Sequence, residues 1–293
     1  MHIKNGLIFI ILFFAFLLSS CSEERAVKTY DNALIIGHRA TGVGVNDGFI
    51  ENTLPGIIEV LKYVDGAEVD IQMSSSKTLW VFHDGLFTHL DKNSQALVDS
   101  GNYYCVLQTP DSILEKLKIN RDGVVDRLYK LEEVFEVFSK SKEKILTLDI
   151  KGYFESECVE NSNVDHQYQK ELAEALYELA IKYDIKNQII AETVYTPIFE
   201  RLKQLDETFQ CYYLVIDKLN EKIDLAHSKN LDGLSINLHD STVNSEIINQ
   251  AREKGLTVKF WNILSEESLT LAESYKPYVI EISNLELIRK QGE

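Results

Sequence analysis

Residues 67–84 read AEVDIQMSSSKTLWVFHD, and this stretch restricts the folds open to the chain. Residues 67–72 and 79–82 are short runs with β-branched and apolar side chains, which predict two strands. Only Met73–Thr78 separates them, whereas a crossover between parallel strands needs roughly a dozen residues or more. The two strands should therefore form a hairpin-like excursion, and only one of them can belong to a parallel sheet.

A repeating unit, a short apolar run followed by a segment of helical periodicity, extends along the rest of the chain. Further strands are predicted at residues 33–37, 145–150, 187–191, 211–216, 233–237, 257–262 and 278–282. Helical patterns lie between most of them, for example at Gln167–Lys182, Thr196–Leu205 and Ser245–Lys254. With the hairpin strand set aside, eight strands remain, which predicts a (β/α)8 TIM barrel. A doubly wound open sheet is the alternative, but no glycine-rich phosphate loop opens the first helix.

Residues 84–130, which begin at the His-Asp pair, fit this repeat badly. They are mostly polar, with scattered Tyr103, Tyr104 and Leu107. We predict an insertion over the mouth of the barrel that forms a partial lid or a substrate-binding excursion. A loop without a function is the alternative.

The first residues have the pattern of an export signal. Lys4 precedes an apolar run, Leu7 to Leu18, that is shorter than the roughly 20 residues needed to span a bilayer. The run ends in Leu18-Ser19-Ser20-Cys21, which resembles the lipobox of bacterial lipoproteins; an ordinary secretory signal is the alternative. The resemblance implies removal of residues 1–20 and lipidation of Cys21, which holds a protein at a membrane without a spanning helix.

This interpretation divides the chain into a signal peptide at 1–20, an acidic tether at 21–32 and a single barrel domain at 33–293. The protein would be exported and lipid-anchored to the bacterial cell envelope. Acidic residues directly after the cysteine, Glu23 and Glu24, favour the outer membrane and its surface. The oligomeric state is left open.

The composition argues against one class of partner. Forty-six acidic residues against 30 Lys and Arg give a net charge of −16, or −17 once Lys4 is removed with the signal. A nucleic-acid-binding surface would be basic, so no nucleic-acid partner is expected. A small phosphodiester substrate is compatible, because one metal ion and a few cationic side chains can reverse the potential locally.

The cysteines give no structural framework. With Cys21 assigned to lipid, Cys105, Cys158 and Cys211 cannot make a complete set of disulfides. Their spacing does not resemble a zinc site either.

Charged residues gather on the predicted strands, at their ends and before the first helix. The groups are Gly37-His38-Arg39, Glu51-Asn52-Thr53, Glu68-Val69-Asp70, His83-Asp84 and Asp149-Ile150-Lys151. Catalytic groups of a (β/α)8 barrel lie at the carboxyl ends of its strands. Three buried carboxylates beside two imidazoles require a cation, and oxygen ligands suit Mg²⁺ or Ca²⁺ rather than Zn²⁺.

These groups resemble the signature of the glycerophosphodiester phosphodiesterase family, a phosphodiesterase group of TIM barrels. The motifs His-Arg-Gly, Glu-Asn-Thr, Glu-x-Asp, His-Asp and an acidic residue two before a lysine correspond to residues 38–40, 51–53, 68–70, 83–84 and 149–151. The compact part covers residues 35–84, and weaker agreement runs to about residue 262. The resemblance implies hydrolysis of glycerophosphodiesters to glycerol 3-phosphate and an alcohol.

The resemblance also implies the catalytic roles. Glu68, Asp70 and Asp149 become the metal ligands, and His38 and His83 become the general base and acid, with the reverse assignment left open. Two histidines can exchange these roles near neutral pH. A hydroxyl of the substrate would attack first, and water would then open the resulting cyclic phosphate.

Four further residues are expected to contact or orient the substrate. Arg39 and Lys151 become the phosphate clamps, and Glu51 orients Arg39 or a histidine. Trp261 matches a tryptophan on a late strand of the family and is expected to pack a glycerol or head group at the mouth.

Three positions depart from the family pattern. Ala40 replaces the usual glycine, which is tolerable if its φ stays negative. Asp149 replaces the commoner glutamate and is one methylene shorter, as in the sphingomyelinase-D-like relatives of this barrel. Ser283-Asn284-Leu285 stands in place of a closing Thr-Asp-x-Pro-like motif. These departures concern the substrate more than the chemistry.

Two other functions stay open. A phospholipase-D-like or sphingomyelinase-D-like enzyme acting on intact lysolipid is favoured if residues 84–130 present apolar surface to a membrane. The other is a binding lipoprotein that has lost turnover, although such a protein would not need an acid–base pair.

Overall fold

The computed structural model describes residues 31–152, 158 and 162–292. The predicted signal peptide, the lipidated Cys21 and the tether up to residue 30 lie outside the described residues. The described strands are β1 (Leu34–Gly37), β2 (Val45–Asn46), β3 (Phe49–Ile50), β4 (Gly66–Met73), β5 (Leu79–Val81), β6 (Lys118–Arg121), β7 (Val124–Arg127), β8 (Tyr129–Lys130), β9 (Ile145–Ile150), β10 (Ile189–Thr193), β11 (Gln210–Val215), β12 (Gly233–Asn237), β13 (Thr257–Ile263) and β14 (Val279–Ile282). The described helices are α1 (Leu54–Val60), α2 (Lys92–Gly101), α3 (Asp111–Leu114), α4 (Leu131–Phe138), α5 (Ser162–Lys182), α6 (Thr196–Leu205), α7 (Leu219–Ser228), α8 (Ser245–Glu253), α9 (Glu266–Ser274) and α10 (Leu285–Lys290).

Eight of these described strands close into a parallel ring. β1 pairs with β14 on one side and with β4 on the other, and the ring continues through β13, β12, β11, β10 and β9. Strand alternation separates its two faces: Val69 and Ile71 join the apolar core shared with the helices, whereas Glu68 and Asp70 line a cavity inside the ring. The predicted (β/α)8 TIM barrel is confirmed. None of the described helices combines the length and hydrophobicity that a bilayer crossing requires.

The predicted hairpin excursion is also present. β5 pairs antiparallel with the end of β4, so that Ile71 faces Val81 and Met73 faces Leu79. β5 therefore stands outside the ring, and β8 pairs with it as well. His83 follows β5 closely, so it reaches the mouth of the barrel from the hairpin and not from a ring strand.

Residues 84–130 form a folded segment, which we call the insertion. It contains α2, α3, the antiparallel pair of β6 and β7, and β8. Apolar side chains of this segment, among them Val98, Leu114 and Leu117, pack with Trp80 of the hairpin in a cluster apart from the main core. The insertion therefore has an apolar core that its polar composition did not reveal.

One disulfide joins the insertion to the barrel. It links Cys105 to Cys158, which lies between β9 and α5. Cys211 of β11 is buried as a free thiol. The described cysteines thus include a pair that the sequence had not indicated, and this pair ties the insertion to the connection that follows Lys151.

Candidate active site

A pocket of about 280 Å³ opens at the carboxyl ends of the ring strands. Its charged and ionisable lining consists of His38, Arg39, Glu68, Asp70, His83, Asp149, Lys151, Glu192 and Glu281. Leu214, Ile216, Asn237 and Trp261 complete the wall. The structure thus brings together every residue predicted for catalysis, metal binding and substrate contact except Glu51, which lies beside the pocket as a partner of Arg39.

Strand register accounts for this convergence. Asp70 of β4 lies opposite Asp149 of β9, which in turn lies opposite Glu192 of β10. Because neighbouring parallel strands present paired residues on the same face, three carboxylates form one row inside the ring. Glu68, two residues before Asp70, faces the same cavity.

Buried carboxylates crowd around Glu68, which is only 1 % exposed. Oxygens of Glu68, Asp149 and Glu192 lie within 4.8 Å of one another, as do ligand atoms of His38, Glu68 and Glu281. Burial, reinforced by neighbouring negative charges, raises the pKa of Glu68 well above its usual range. Burial likewise raises the pKa of Asp149 to about 6 and that of Glu281 to about 8. A divalent cation would relieve this repulsion, so the oxygen-rich donor set fits a hard metal ion.

Asp70 lies in the pocket but makes ion pairs instead of joining either of these ligand groups. Its Oδ1 lies 2.9 Å from Lys151 Nζ, and its Oδ2 lies 3.4 Å from Arg39 Nε. Asn52 Nδ2 donates to Oδ2 at 2.7 Å. Burial acts to raise the pKa of Asp70, but the charges of Lys151 and Arg39 outweigh it and lower that pKa, so the carboxyl is ionised. Lys151 also pairs with Asp149.

His38 follows β1 and is oriented from the other end of the chain. Ser283 Oγ lies 2.8 Å from Nδ1, while Nε2 lies 3.7 Å from Glu281 and 4.0 Å from Glu68. Burial, followed by the positive charge of Arg39, lowers the pKa of His38 to about 3, so the imidazole is neutral. Ser283 occupies the place of the missing closing motif, so this departure supplies a contact of its own.

The turn after His38 corrects one expectation. Arg39 and Ala40 have φ values of 45° and 65°, both in the left-handed region. The expectation of a negative φ at Ala40 is therefore wrong: the chain keeps the conformation that glycine favours and places a methyl group in it. Glu68 holds the turn, because its Oε2 accepts from Arg39 N at 2.7 Å and its carbonyl accepts from Ala40 N at 2.9 Å.

His83 is oriented by the residue that follows it. Its Nδ1 lies 2.7 Å from Asp84 Oδ1, and Thr88 Oγ1 donates to the other oxygen. The hydrogen bond with His83 is the main reason that the pKa of Asp84 falls to about 2; burial opposes it and Thr88 adds to it. An anionic carboxylate thus stands behind His83, and Nε2 is left for the pocket.

Glu51 lies between two arginines. Arg39 Nη1 donates to both of its oxygens at 3.3 Å, and Arg121 Nη1 lies 2.8 Å from Oε1. Arg121 comes from β6 of the insertion, and its other terminal nitrogen lies 3.8 Å from Asp84 Oδ2. The insertion therefore supplies a cation that touches the partners of both Arg39 and His83.

A further set of charges lies deeper in the ring. Lys259 of β13 is fully buried, and its Nζ lies 2.8 and 2.7 Å from the two oxygens of Glu192 and in contact with Glu281. We call Glu192, Lys259 and Glu281 the interior triad. Burial acts to lower the pKa of Lys259, but the two glutamates outweigh it and raise that pKa, so the ammonium is retained.

Trp261, two residues beyond Lys259, lies where the mouth residue was expected. It lines the pocket, and its Nε1 is buried with no hydrogen-bond partner within the described part of the chain. This donor is available to a ligand.

Sequence reasoning gave no role to Arg121, Glu192, Lys259, Glu281 or Ser283. Glu192, Lys259 and Glu281 did carry a signal, because each interrupts an apolar strand with a charge that is costly to bury unless it is paired. Arg121 and Ser283 carried none, since both are ordinary polar residues of a hairpin and a loop.

Fold and site together define a class, the (β/α)8-barrel enzymes with an ionised pocket at the carboxyl ends of the strands. The family model of glycerophosphoryl diester phosphodiesterases matches residues 38–279. The chain belongs to the glycerophosphoryl diester phosphodiesterase family, and it is accordingly a phosphoric diester hydrolase.

Solved structures with the same fold include several of that name. A glycerophosphodiester phosphodiesterase from Parabacteroides distasonis is similar with a TM-score of 0.70 and 14 % identity, over 89 % of this chain and 97 % of that one. An Oleispira antarctica phosphodiesterase, solved with the product sn-glycerol-3-phosphate, gives 0.67 and 17 %, over 88 % and 96 %. A glycerophosphodiester phosphodiesterase from Thermotoga maritima gives 0.62 and 19 %, over 88 % and 98 %. A search of curated proteins finds no significant match.

Proposed function

We propose that this protein hydrolyses glycerophosphodiesters to glycerol 3-phosphate and an alcohol, using one divalent cation, Mg²⁺ or Ca²⁺, and proton transfer by two histidines. One observation carries the proposal: His38 and His83 line the same pocket as Glu68, Asp70 and Asp149. Cleavage of a phosphodiester needs a base, an acid and positive charge at the phosphoryl oxygens, and this pocket can supply all three. The product bound to the Oleispira antarctica relative supports the substrate class.

Glu68, Asp70 and Asp149 are the proposed metal ligands. Glu68 and Asp149 have oxygens within 4.8 Å of each other, and Asp70 lies in register with Asp149 on the next strand. Lys151 contacts both Asp70 and Asp149, so a cation that binds these carboxylates must displace the ammonium from one oxygen of each. Once bound, a divalent cation polarises a phosphoryl oxygen and neutralises developing charge.

The partners of the two histidines support one assignment of their roles. His38 Nδ1 contacts the uncharged hydroxyl of Ser283, which suits a neutral ring that accepts a proton from the attacking hydroxyl. His83 Nδ1 contacts the Asp84 carboxylate, which stabilises a positive ring and suits a donor of a proton to the leaving alkoxide. The roles reverse when water opens the cyclic phosphate, so both histidines return to their starting states.

Arg39, Lys151 and Trp261 are proposed to bind the phosphodiester. Hydrogen bonds from Arg39 Nη1 to both oxygens of Glu51 fix the orientation of the guanidinium. Lys151, which follows β9, supplies a second positive charge in the lining of the pocket. The Trp261 N–H is a donor for a glycerol or head-group oxygen.

The test is release of glycerol 3-phosphate by the full chain, purified in detergent, from glycerophosphocholine with added Mg²⁺ or Ca²⁺. We expect turnover that is lost with a chelator and restored by the ion. His38→Ala and His83→Ala should each abolish most of it, while His227→Ala, a matched change at an exposed histidine of α7, should not. Full turnover in chelator would disprove the metal requirement, and full turnover in both histidine variants would disprove the acid–base pair.

A second candidate is cleavage of intact lysolipid, and the rim of the pocket favours it. Leu214 and Ile216 line the pocket, and Ile216 is 71 % exposed although it is apolar. An acyl chain could lie against this side chain while the phosphate enters the pocket. Lysophosphatidylcholine turnover above that of glycerophosphocholine, reduced in Ile216→Asn, would establish this candidate; the opposite preference would exclude it.

We also propose that the protein is exported and anchored by lipid at Cys21, which lies outside the described residues. The Cys105–Cys158 disulfide supports an oxidising compartment outside the cytosol. Labelled palmitate should be incorporated by cells that express the full chain and not by cells that express Cys21→Ala. Labelling of Cys21→Ala to the same extent would rule out the anchor at this residue.

A further inference from the structure

In the interior triad, the ammonium of Lys259 contacts two glutamates that could otherwise bind a metal ion. Among the residues that the structure describes, two groups of three have metal-binding geometry, and Glu192 completes one of them with Glu68 and Asp149. Glu281 completes the other, together with His38 and Glu68. Lys259 Nζ contacts both of these glutamates and so joins the two groups.

The geometry of Lys259 makes this arrangement persistent. Its side chain is fully buried, and both oxygens of Glu192 accept from its Nζ, at 2.8 and 2.7 Å. A buried ammonium has no water to replace its carboxylate partners, so leaving them would cost far more than a surface pair. Glu192 and Glu281 are therefore held toward Lys259 and are not free to turn to a metal ion.

The charges around the pocket agree with this interpretation. Glu68, Asp70, Asp149, Glu192 and Glu281 line it, and they face the cations Arg39, Lys151 and Lys259. Among these described side chains, five carboxyl groups face three cations, so the acids outnumber the cations by two. Loss of the Lys259 charge would raise the excess of acids over cations to three and would release Glu192 and Glu281 from their ion pairs.

We propose that Lys259 is a built-in cation that limits the pocket to a single metal ion. It does so by holding Glu192 and Glu281 out of coordination, which leaves Glu68, Asp70 and Asp149 as the ligands. The inference rests on the proposed function for the existence of the metal site, and it adds the residue that keeps Glu192 and Glu281 from binding a second ion. Lys259 acts through the glutamates and is a positioning residue.

The experiment counts bound ions with Mn²⁺ as the probe, by equilibrium dialysis of the full chain and by electron paramagnetic resonance. The wild type should bind one ion per chain with an isolated Mn²⁺ spectrum. Lys259→Met should bind two ions and show the spectrum of a coupled pair, while Lys259→Arg, which keeps the charge, should bind one. One ion of unchanged affinity in Lys259→Met, or two in the wild type, would overturn the proposal.

A second variant keeps the test valid if Lys259→Met does not fold. Glu192→Gln, Lys259→Met and Glu281→Gln combined remove all three charges of the interior triad at nearly constant volume. This variant should bind one Mn²⁺ with wild-type affinity, because its predicted ligands are intact; loss of binding would show that Glu192 or Glu281 is a ligand. A wild type that binds no Mn²⁺ would instead refute the proposed metal chemistry itself, which separates the two failures.

Discussion

The two ends of the barrel each contain a cavity, and the larger cavity is not the one lined by carboxyl groups. The cavity at the amino ends of the strands measures about 480 Å³, against about 280 Å³ at the carboxyl ends. Its lining includes Ile145, Ile189, Ile190, Tyr212 and Gln188. The Thr257 hydroxyl and the Gln188 amide nitrogen of this cavity donate to partners in the fold, whereas the carboxyl end holds several carboxyl groups whose pKa values are raised by burial.

Gln188 illustrates the difference. Its Nε2 donates to the carbonyl oxygens of Phe138, Ser141 and Lys144, at 3.2, 2.9 and 2.9 Å. This side chain ties a helix end and a loop to the base of the barrel, so its polarity serves the fold. At the carboxyl end, by contrast, acidic side chains line a cavity inside the ring, where burial is unfavourable for them. Uncompensated charge, and not cavity volume, marks the site in this molecule.

The largest expected effect is on activity, which should depend on residues at the carboxyl end of the barrel and not on those at the amino end. His38→Ala and His83→Ala should each lower kcat by about 10²–10⁴-fold, because each removes a proton-transfer group. Gln188→Ala should leave kcat unchanged when variants are compared at a temperature where all are folded. Steady-state kinetics on a soluble glycerophosphodiester make the comparison. A comparable loss of kcat in Gln188→Ala would break the division between the ends.

The next effect is on stability and concerns Gln188 at the amino end of the barrel. Gln188→Ala should lower the free energy of unfolding by about 2 kcal/mol, because buried carbonyl groups lose their donor. Gln95→Ala on the exposed face of α2, where the side chain contacts only Asp99, is the matched control and should change it by no more than about 0.5 kcal/mol. Urea titrations of both variants give the values. Equal effects would mean that the buried contacts contribute nothing specific.

Arg121 tests how far the carboxyl-end site extends into the insertion. Arg121→Gln should lower kcat/KM about tenfold, which corresponds to about 1.4 kcal/mol, because Glu51 and Asp84 lose a cation that helps hold them. Arg121→Lys should recover part of the loss. Arg127→Gln on β7, which breaks an exposed pair with Glu133, should have no effect on kcat/KM. If the two glutamine variants behaved alike, Arg121 would have no role in the site.

Acid should distinguish Asp84 at the carboxyl end from Gln188 at the amino end. The folded pKa of Asp84 is about 2, below the roughly 3.9 of an unfolded aspartate, so its carboxylate stabilises the fold above about pH 4. That contribution is lost as the pH falls toward 2. The difference in unfolding free energy between the wild type and Asp84→Asn should therefore shrink over this interval, while the difference between the wild type and Gln188→Ala stays constant. Denaturant titrations at several pH values measure the two differences. If both differences shrank in parallel, the effect would not belong to the Asp84 carboxylate.

The smallest effect concerns backbone strain. Ala40→Gly should raise the free energy of unfolding by about 0.5 kcal/mol, because relief of about 1–2 kcal/mol of left-handed strain exceeds the loss of one buried methyl group of about 0.8 kcal/mol. Thermal unfolding by calorimetry measures this change. Ala33→Gly, before β1, serves as the matched substitution and should not stabilise. A lower melting temperature for Ala40→Gly would mean that the methyl group contributes more than the strain.

Much of the barrel could be predicted from local patterns. The five residues between β4 and β5 dictate an antiparallel pair, and the alternation of strands and helices dictates the ring. The residues of the pocket could be found because ring strands end at one rim, so that His38, Asp70 and Asp149 meet despite their distance in sequence.

The rest depends on contacts that have no local rule. Lys259 and Glu192 are separated by 67 residues, and only the closure of the ring decides that they meet. Arg121 reaches Glu51 because the insertion folds back over β3, and the apolar core that directs it is spread over scattered positions. Cys105 and Cys158 pair across 53 residues, a spacing that by itself indicates nothing.

The attachment of the hairpin and insertion has an evolutionary consequence. The chain departs from the ring after β4 and rejoins it at β9, while β4 and β9 themselves pair directly over six residues. Lengthening or shortening the excursion leaves that pairing in register, and the entropic penalty for a longer loop grows only slowly. One stretch of the gene can therefore gain or lose codons and change the segment that contacts His83 and Glu51, while the carboxylates on the ring strands keep their places.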